Sequence, residues 1–164
     1  MGLYLIRHPQ TIANLKVQIA GWAKSPYSEE GKKQFEKIKH YFKKNKINLP
    51  VYSSDLPRAL KLAKEISNEN KSKLTITKEL REINFKETEP YDSYETQSEF
   101  EKRIFKFLKE NQDSDKIIVS HSGVIRYILK MNNSEWEKNI GLKRDRIFLI
   151  ETNKKGNKLK IIRV

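Results

Sequence analysis

The residues that could do phosphate chemistry in this chain stand at the ends of short apolar runs. Arg7-His8 follows Leu3-Tyr4-Leu5-Ile6, and Ser120-His121-Ser122-Gly123 follows Ile117-Ile118-Val119. The third histidine, His40, sits in a lysine-rich helical stretch and reads as a helix-face residue. A neutral imidazole is a nucleophile near neutral pH and needs no metal to be one. A guanidinium is a planar fork whose donors match phosphate oxygens. Arg58, in Asp55-Leu56-Pro57-Arg58, and Glu82, in Leu80-Arg81-Glu82-Ile83-Asn84-Phe85, complete the set. A carboxyl can protonate a leaving alkoxide and later take a proton from water. A second imidazole, if protonated, stabilises charge on the phosphoryl group during transfer. Phosphoryl transfer asks mainly for positioning and charge neutralisation, which such a set supplies. Singly, each residue has a plainer reading: a structural histidine, a surface arginine, an exposed glutamate. Their coincidence at four predicted strand ends points to a site.

The elements that would position them alternate between strand and helix. Leu3 to Ile6 reads as a strand buried on both faces. Ser28 caps a helix from Glu29 to about Lys46, with Phe35, Ile38 and Phe42 on one face. Val51-Tyr52-Ser53 is a second strand, and Pro57 stands near the start of the next helix, where a missing N–H costs little. Leu56, Ala59, Leu60, Ala63 and Ile66 are that helix's expected buried stripe, and Leu74-Thr75-Ile76 is a third strand. Residues 84 to 97 read as irregular and polar. Phe100, Ile104, Phe107 and Leu108 mark another helix, Ile117 to Ser120 a strand, and about Gly123 to Lys130 a helix, with a short one near Trp136. Arg146 to Thr152 and Leu159 to Val164 read as a closing antiparallel pair. The alternation predicts an α/β fold, a three-layer α/β/α sandwich around a mostly parallel sheet. In such a sheet the carboxyl ends of the strands share one edge, where open sheets bind ligands.

A length of 164 residues suits one domain, 1-164. No apolar run approaches a bilayer span, and the opening run is too short for a signal peptide. Ile6 stands where a myristoylation signal needs Ser or Thr. The absence of cysteine excludes disulfides, thiol nucleophiles and thiolate metal sites, and fits a cytoplasmic protein. The net charge of +13 invites a nucleic-acid reading, but 26 Lys against 8 Arg, scattered along the chain, read as a solvated surface that attracts anionic small substrates. No Gly-x-Gly-x-x-Gly follows the first strand, which argues against a dinucleotide-binding oxidoreductase.

Several blocks in order resemble one family. Arg7-His8 with Thr11 and Asn14 resembles the R-H-G-x-T-x-x-N opening of the histidine phosphatase (phosphoglycerate mutase-like) superfamily. Gly21, Pro26-Tyr27-Ser28 and Gly31 resemble its G…P-L-[ST]-x-x-G stretch, and Ser53 to Ala59 its S-S-D-L-x-R-A. Leu80 to Phe85 is similar to L-R-E-x-x-F, Glu95-Thr96 and Arg103-Ile104 weakly to E-S-x(6)-R-V, and Val119 to Gly123 to V-S-H-x-G. The resemblance runs from residue 3 to about 130. It implies a phosphoglycerate mutase-like fold and catalysis without metal or cofactor. It also implies a role for each site residue. His8 becomes the phosphohistidine, Arg7 and Arg58 clamp the phosphate, Asn14 adds a hydrogen bond, His121 faces His8, and Glu82 is the proton donor. Within the superfamily the Leu80 to Phe85 block and compact length look most like alpha-ribazole phosphatases. The implied substrate is alpha-ribazole 5'-phosphate or a similar small phosphate ester. Alternatives are a protein-phosphohistidine phosphatase of the same superfamily, and a non-catalytic basic nucleic-acid-binding module on this fold. Two departures stand out. Pro9 replaces the family glycine, which removes a backbone N–H and biases His8 toward an extended conformation. Lys86-Glu87-Thr88-Glu89 replaces Gly-x-[WY]-[ED]-G, so the cover segment near 86-98 is expected to be shortened and the crevice open.

Overall fold

Leu5 and Ile6 are neighbours in β1 (Gly2–Arg7), and both are fully buried, in different hydrophobic clusters. Successive strand side chains point to opposite faces, so a strand apolar at adjacent positions must be covered on both sides. The computed structural model describes residues 2–85, 94–112, 115–132, 144, 146–153 and 156–164. The helix expected near Trp136 and most of the expected cover segment lie outside the described residues.

The elements run β1, α1 (Ile12–Leu15), α2 (Glu29–Lys44), β2 (Val51–Ser54), α3 (Pro57–Asn70), β3 (Leu74–Thr77), a 3-10 turn (Lys78–Leu80), α4 (Gln97–Glu110), β4 (Lys116–Ser120), α5 (Ser122–Asn132), β5 (Arg146–Asn153) and β6 (Gly156–Arg163). The six strands form one sheet in the order β3-β2-β4-β1-β5-β6. The first four are parallel, and β5 and β6 add an antiparallel edge, as the closing pair predicts. On one face Leu5, Ile118 and Phe148 pack with Phe100, Ile104 and Phe107 of α4 and Ile125 and Ile128 of α5. On the other, Ile6, Ile117 and Val119 pack with Phe35, Ile38 and Phe42 of α2 and Ala59, Leu62 and Ile66 of α3. The three-layer α/β/α arrangement is therefore as expected.

Local chemistry sets the helix ends. Ser28 accepts from the Gly31 N–H at the start of α2, while Thr96 and Glu99 form a capping box on α4. Two readings need correction. The helix expected to reach Lys46 stops at Lys44, because Lys46 takes a left-handed φ of 49°. The buried stripe of α3 runs through Leu62 and not Leu60: Ala59, Leu62, Ala63 and Ile66 are spaced three, four and seven residues on, whereas Leu60 turns about 100° away from Ala59.

Candidate active site

The parallel register of β1 and β4 pairs Arg7 with Ser120, so the residue following each comes out at the same edge. The His8 N–H donates to the Ser120 carbonyl at 2.9 Å, which carries the pairing one residue past the strand. Accordingly the His8 and His121 rings lie side by side, with centroids 5.1 Å apart and planes 59° apart. Both are buried, at 3% and 0% exposure.

Two contacts assign the His8 tautomer. The Pro9 carbonyl lies 2.7 Å from Nδ1 and can only accept, so Nδ1 carries the proton. The Arg58 Nε–H donates to Nε2 at 3.3 Å, which marks Nε2 as the bare, nucleophilic nitrogen. Burial, and next the Arg58 charge, hold the His8 pKa well below its usual value, so the ring is neutral near pH 7. Pro9 lacks an N–H, as the sequence requires, but its carbonyl orients the nucleophile.

His121 Nε2 lies 2.9 Å from Ser54 Oγ, at the end of β2. That oxygen accepts the Leu56 N–H at 3.2 Å and keeps its own proton, which it donates to Nε2 in the His121 tautomer protonated at Nδ1. Nδ1, which bears the hydrogen in that tautomer, has no partner among the described residues. Burial, then Arg58 and His8, depress the His121 pKa, so the ring is neutral near pH 7 in the empty site. A neutral Nδ1–H still donates to an anion.

Arg7 and Arg58 flank the histidines. Burial lowers each guanidinium pKa to about 10, which leaves both charged at neutral pH. Arg58 is 5% exposed, not a surface residue. Its Nη1 and Nη2 donate to the Ala23 and Gly21 carbonyls at 3.0 and 2.6 Å, and Gly21 reaches this turn with a positive φ of 47°. Asn14 Oδ1 accepts the Thr11 N–H in a capping box on α1, which directs its Nδ2 amide elsewhere.

Glu82 is tethered at both ends. Its carboxylate accepts the Gly123 N–H at 3.1 Å, at the start of α5, and the Ile83 N–H at 3.1 Å. Its backbone carbonyl accepts Trp22 Nε1 at 2.7 Å and Arg103 Nη2 at 3.2 Å. Arg81 stacks on Trp22 at 4.5 Å and pairs with Asp55, while Arg103 pairs with Glu95.

A cavity of about 300 Å³ gathers Arg7, His8, Asn14, Arg58 and Glu82, five of the six expected site residues. His121 lies beside His8 without lining the cavity. The lining also includes Gln18, Ile19, Phe85, Gly123 and Arg126. His40 is exposed on α2. Sequence reasoning missed Trp22, the Asp55–Arg81 pair, Arg126 and Arg144. The Glu95–Arg103 pair had a signal, since both residues fall in one family block. Among the described residues no three His, Cys, Asp or Glu side chains gather as metal ligands, and no helix is long and apolar enough to cross a membrane.

Paired imidazoles between guanidinium groups, at the carboxyl edge of an α/β sheet, define a phosphate-handling class of protein. Residues 3–116 match the histidine phosphatase superfamily (branch 1), and the chain belongs to that superfamily. A Hydrogenobacter thermophilus protein named "Putative phosphoserine phosphatase 2" is 30% identical over 155 residues, covering 77% of this chain and 76% of that protein. The fold is shared with the alpha-ribazole phosphatase of Shigella flexneri, at TM-score 0.81 and 23% identity over 100% of this chain and 96% of that one. It is also shared with a mutant phosphoserine phosphatase of Entamoeba histolytica in complex with phosphoserine, at TM-score 0.75 and 20% identity over 96% and 94%.

Proposed function

We propose that this chain is a phosphomonoesterase that works through a phosphohistidine at His8 and without a metal. The observation that carries this reading is the bare Nε2, buried between the His121 ring and the Arg58 guanidinium with its proton held on Nδ1 by Pro9. Nε2 attacks phosphorus, the ester P–O bond breaks, and Glu82 in its acid form gives a proton to the departing alkoxide. Glu82 then takes a proton from water, the water oxygen attacks phosphorus, and the N–P bond breaks to release phosphate and neutral His8. Arg7, Arg58 and Asn14 hold the phosphoryl oxygens, and His121 Nδ1–H donates to one of them.

Alpha-ribazole 5'-phosphate is the first substrate candidate, on the Leu80 to Phe85 block and the compact chain. Phosphoserine is the second, on the name of the 30% identical relative. A protein-phosphohistidine substrate is disfavoured by the same block, and the paired histidines disfavour a purely nucleic-acid-binding module. The reading places the protein in the cytoplasm as one domain.

Hydrolysis of para-nitrophenyl phosphate tests the proposal. Turnover should survive EDTA, be blocked by vanadate, and be lost in His8→Ala. Retained turnover in that variant removes His8 from its role. A salt-dependent shift of DNA with no esterase activity would favour the binding module.

A further inference from the structure

Trp22 has no role in the chemistry above, yet its contacts tie together the segments that carry Arg58 and Glu82. It is half-buried, and both of its N–H groups go to one segment. Nε1 donates to the Glu82 carbonyl at 2.7 Å, and the backbone N–H donates to Asn84 Oδ1 at 3.1 Å. The carbonyls on either side of Trp22, those of Gly21 and Ala23, accept from Arg58 Nη2 and Nη1. Over the indole face lies the Arg81 guanidinium, which Asp55 holds at Nε and Nη2, at 2.7 and 2.5 Å. Asp55 stands just ahead of α3, whose first turn carries Arg58. The contacts form a closed ring, from α3 through the turn at 21–23 to the segment 81–84 and back to α3.

A guanidinium has five N–H donors in one plane, on a side chain whose torsions leave that plane free to turn until acceptors hold it. Three of the Arg58 donors meet the protein: Nε–H meets His8 Nε2, and one hydrogen of each Nη meets a turn carbonyl. Two remain for an anion, and the two carbonyls decide where they point. Being neutral, those carbonyls orient the fork and leave its charge for the ligand. Among the described residues the Nη groups make no other hydrogen bond. Glu82, by contrast, keeps the Gly123 and Ile83 N–H groups and Arg103 without the indole.

Resting on the phosphatase reading's assignment of Arg58 to the phosphate, we infer that Trp22 is a positioning residue for that clamp: it pins the turn whose carbonyls aim Arg58. It touches no reacting atom and acts through Arg58, as supporting contacts lock the side chains that meet a ligand.

The test is orthophosphate affinity of the full chain, by calorimetry, in a cycle of Trp22→Leu with Arg58→Lys. Trp22→Leu alone is expected to weaken binding about tenfold, the scale of one hydrogen bond to a charged group. Trp22→Phe, which keeps the ring face under Arg81, falls in between, and carries the cycle if a melt shows the leucine variant unfolded. In the Arg58→Lys background the same change should alter affinity less than twofold, and in Glu82→Gln it should keep its full effect. Affinity unchanged within twofold in the wild-type background overturns the inference. So does an equal loss with and without Arg58, or an effect that disappears in Glu82→Gln, which would assign Trp22 to the carboxyl. A chain that binds orthophosphate with this coupling but hydrolyses no ester overturns the phosphatase reading alone, and one that binds no orthophosphate overturns both.

Discussion

Gly31→Ala tests whether the orientation of the nucleophile depends on how closely α2 seats against the turn after β1. A Cβ at Gly31 would stand 1.9 Å from the Gln10 carbonyl oxygen and 2.9 Å from its carbon. Non-bonded atoms prefer about 3.5 Å, so one side has to retreat by roughly 1.5 Å. The turn is held where it is: the Ser28 N–H donates to the Gln10 oxygen at 3.0 Å, and the Gln10 N–H to Gln34 Oε1 at 2.9 Å. One peptide earlier lies the Pro9 carbonyl that fixes His8 Nδ1. Alanine's better helix propensity offsets up to about 1 kcal/mol, whereas overpacking costs about 1–3 kcal/mol. Net destabilisation is then up to about 2 kcal/mol, a fall in Tm of up to about 8 °C at this chain length. A shift of about 1 Å at the nucleophile costs roughly 100-fold in rate, so kcat should suffer more than stability. The assay is saturating turnover of para-nitrophenyl phosphate beside a thermal melt. A variant with a lowered Tm but wild-type kcat refutes the link between this seating and His8, and unchanged values of both refute the clash itself.

Two further outcomes follow from the site. The folded pKa values of His8 and His121 lie well below the unfolded value near 6.5, so the unfolded chain binds more protons in acid and stability is lost as pH falls below 6.5. Tm in phosphate-free buffer should therefore fall between pH 7 and 5.5; a flat profile in that window contradicts two buried neutral imidazoles. Glu82→Gln should slow an alkyl ester about 100-fold and para-nitrophenyl phosphate, whose leaving group needs no proton, far less. Equal slowing of both esters counts against an acid role.

Much of this was legible in sequence, for identifiable reasons. Leu5 beside Ile6, and the run Ile117-Ile118-Val119, announce strands covered on both faces, and from parallel strands the shared edge follows. That placed Arg7, His8, Arg58, Glu82 and His121 together before any distance was known. What stayed hidden depends on contacts distant in sequence. Trp22 meets Glu82 across sixty residues, and Asp55 meets Arg81 across twenty-six, with no local pattern to betray either. Leu60 misled because both it and Leu62 are apolar, and spacing decides between them only when the whole stripe is counted. Arg126 was missed because an exposed arginine on a helix is ordinary until the cavity beside it is seen.

The double anchoring of Glu82 separates two things that enzymes often entangle. Its position derives from α5, Trp22 and Arg103, and not from the cavity wall at Gln18 and Ile19. Those two positions are therefore the natural place for lineages, or an engineer, to change what is admitted, while the proton donor stays where it is.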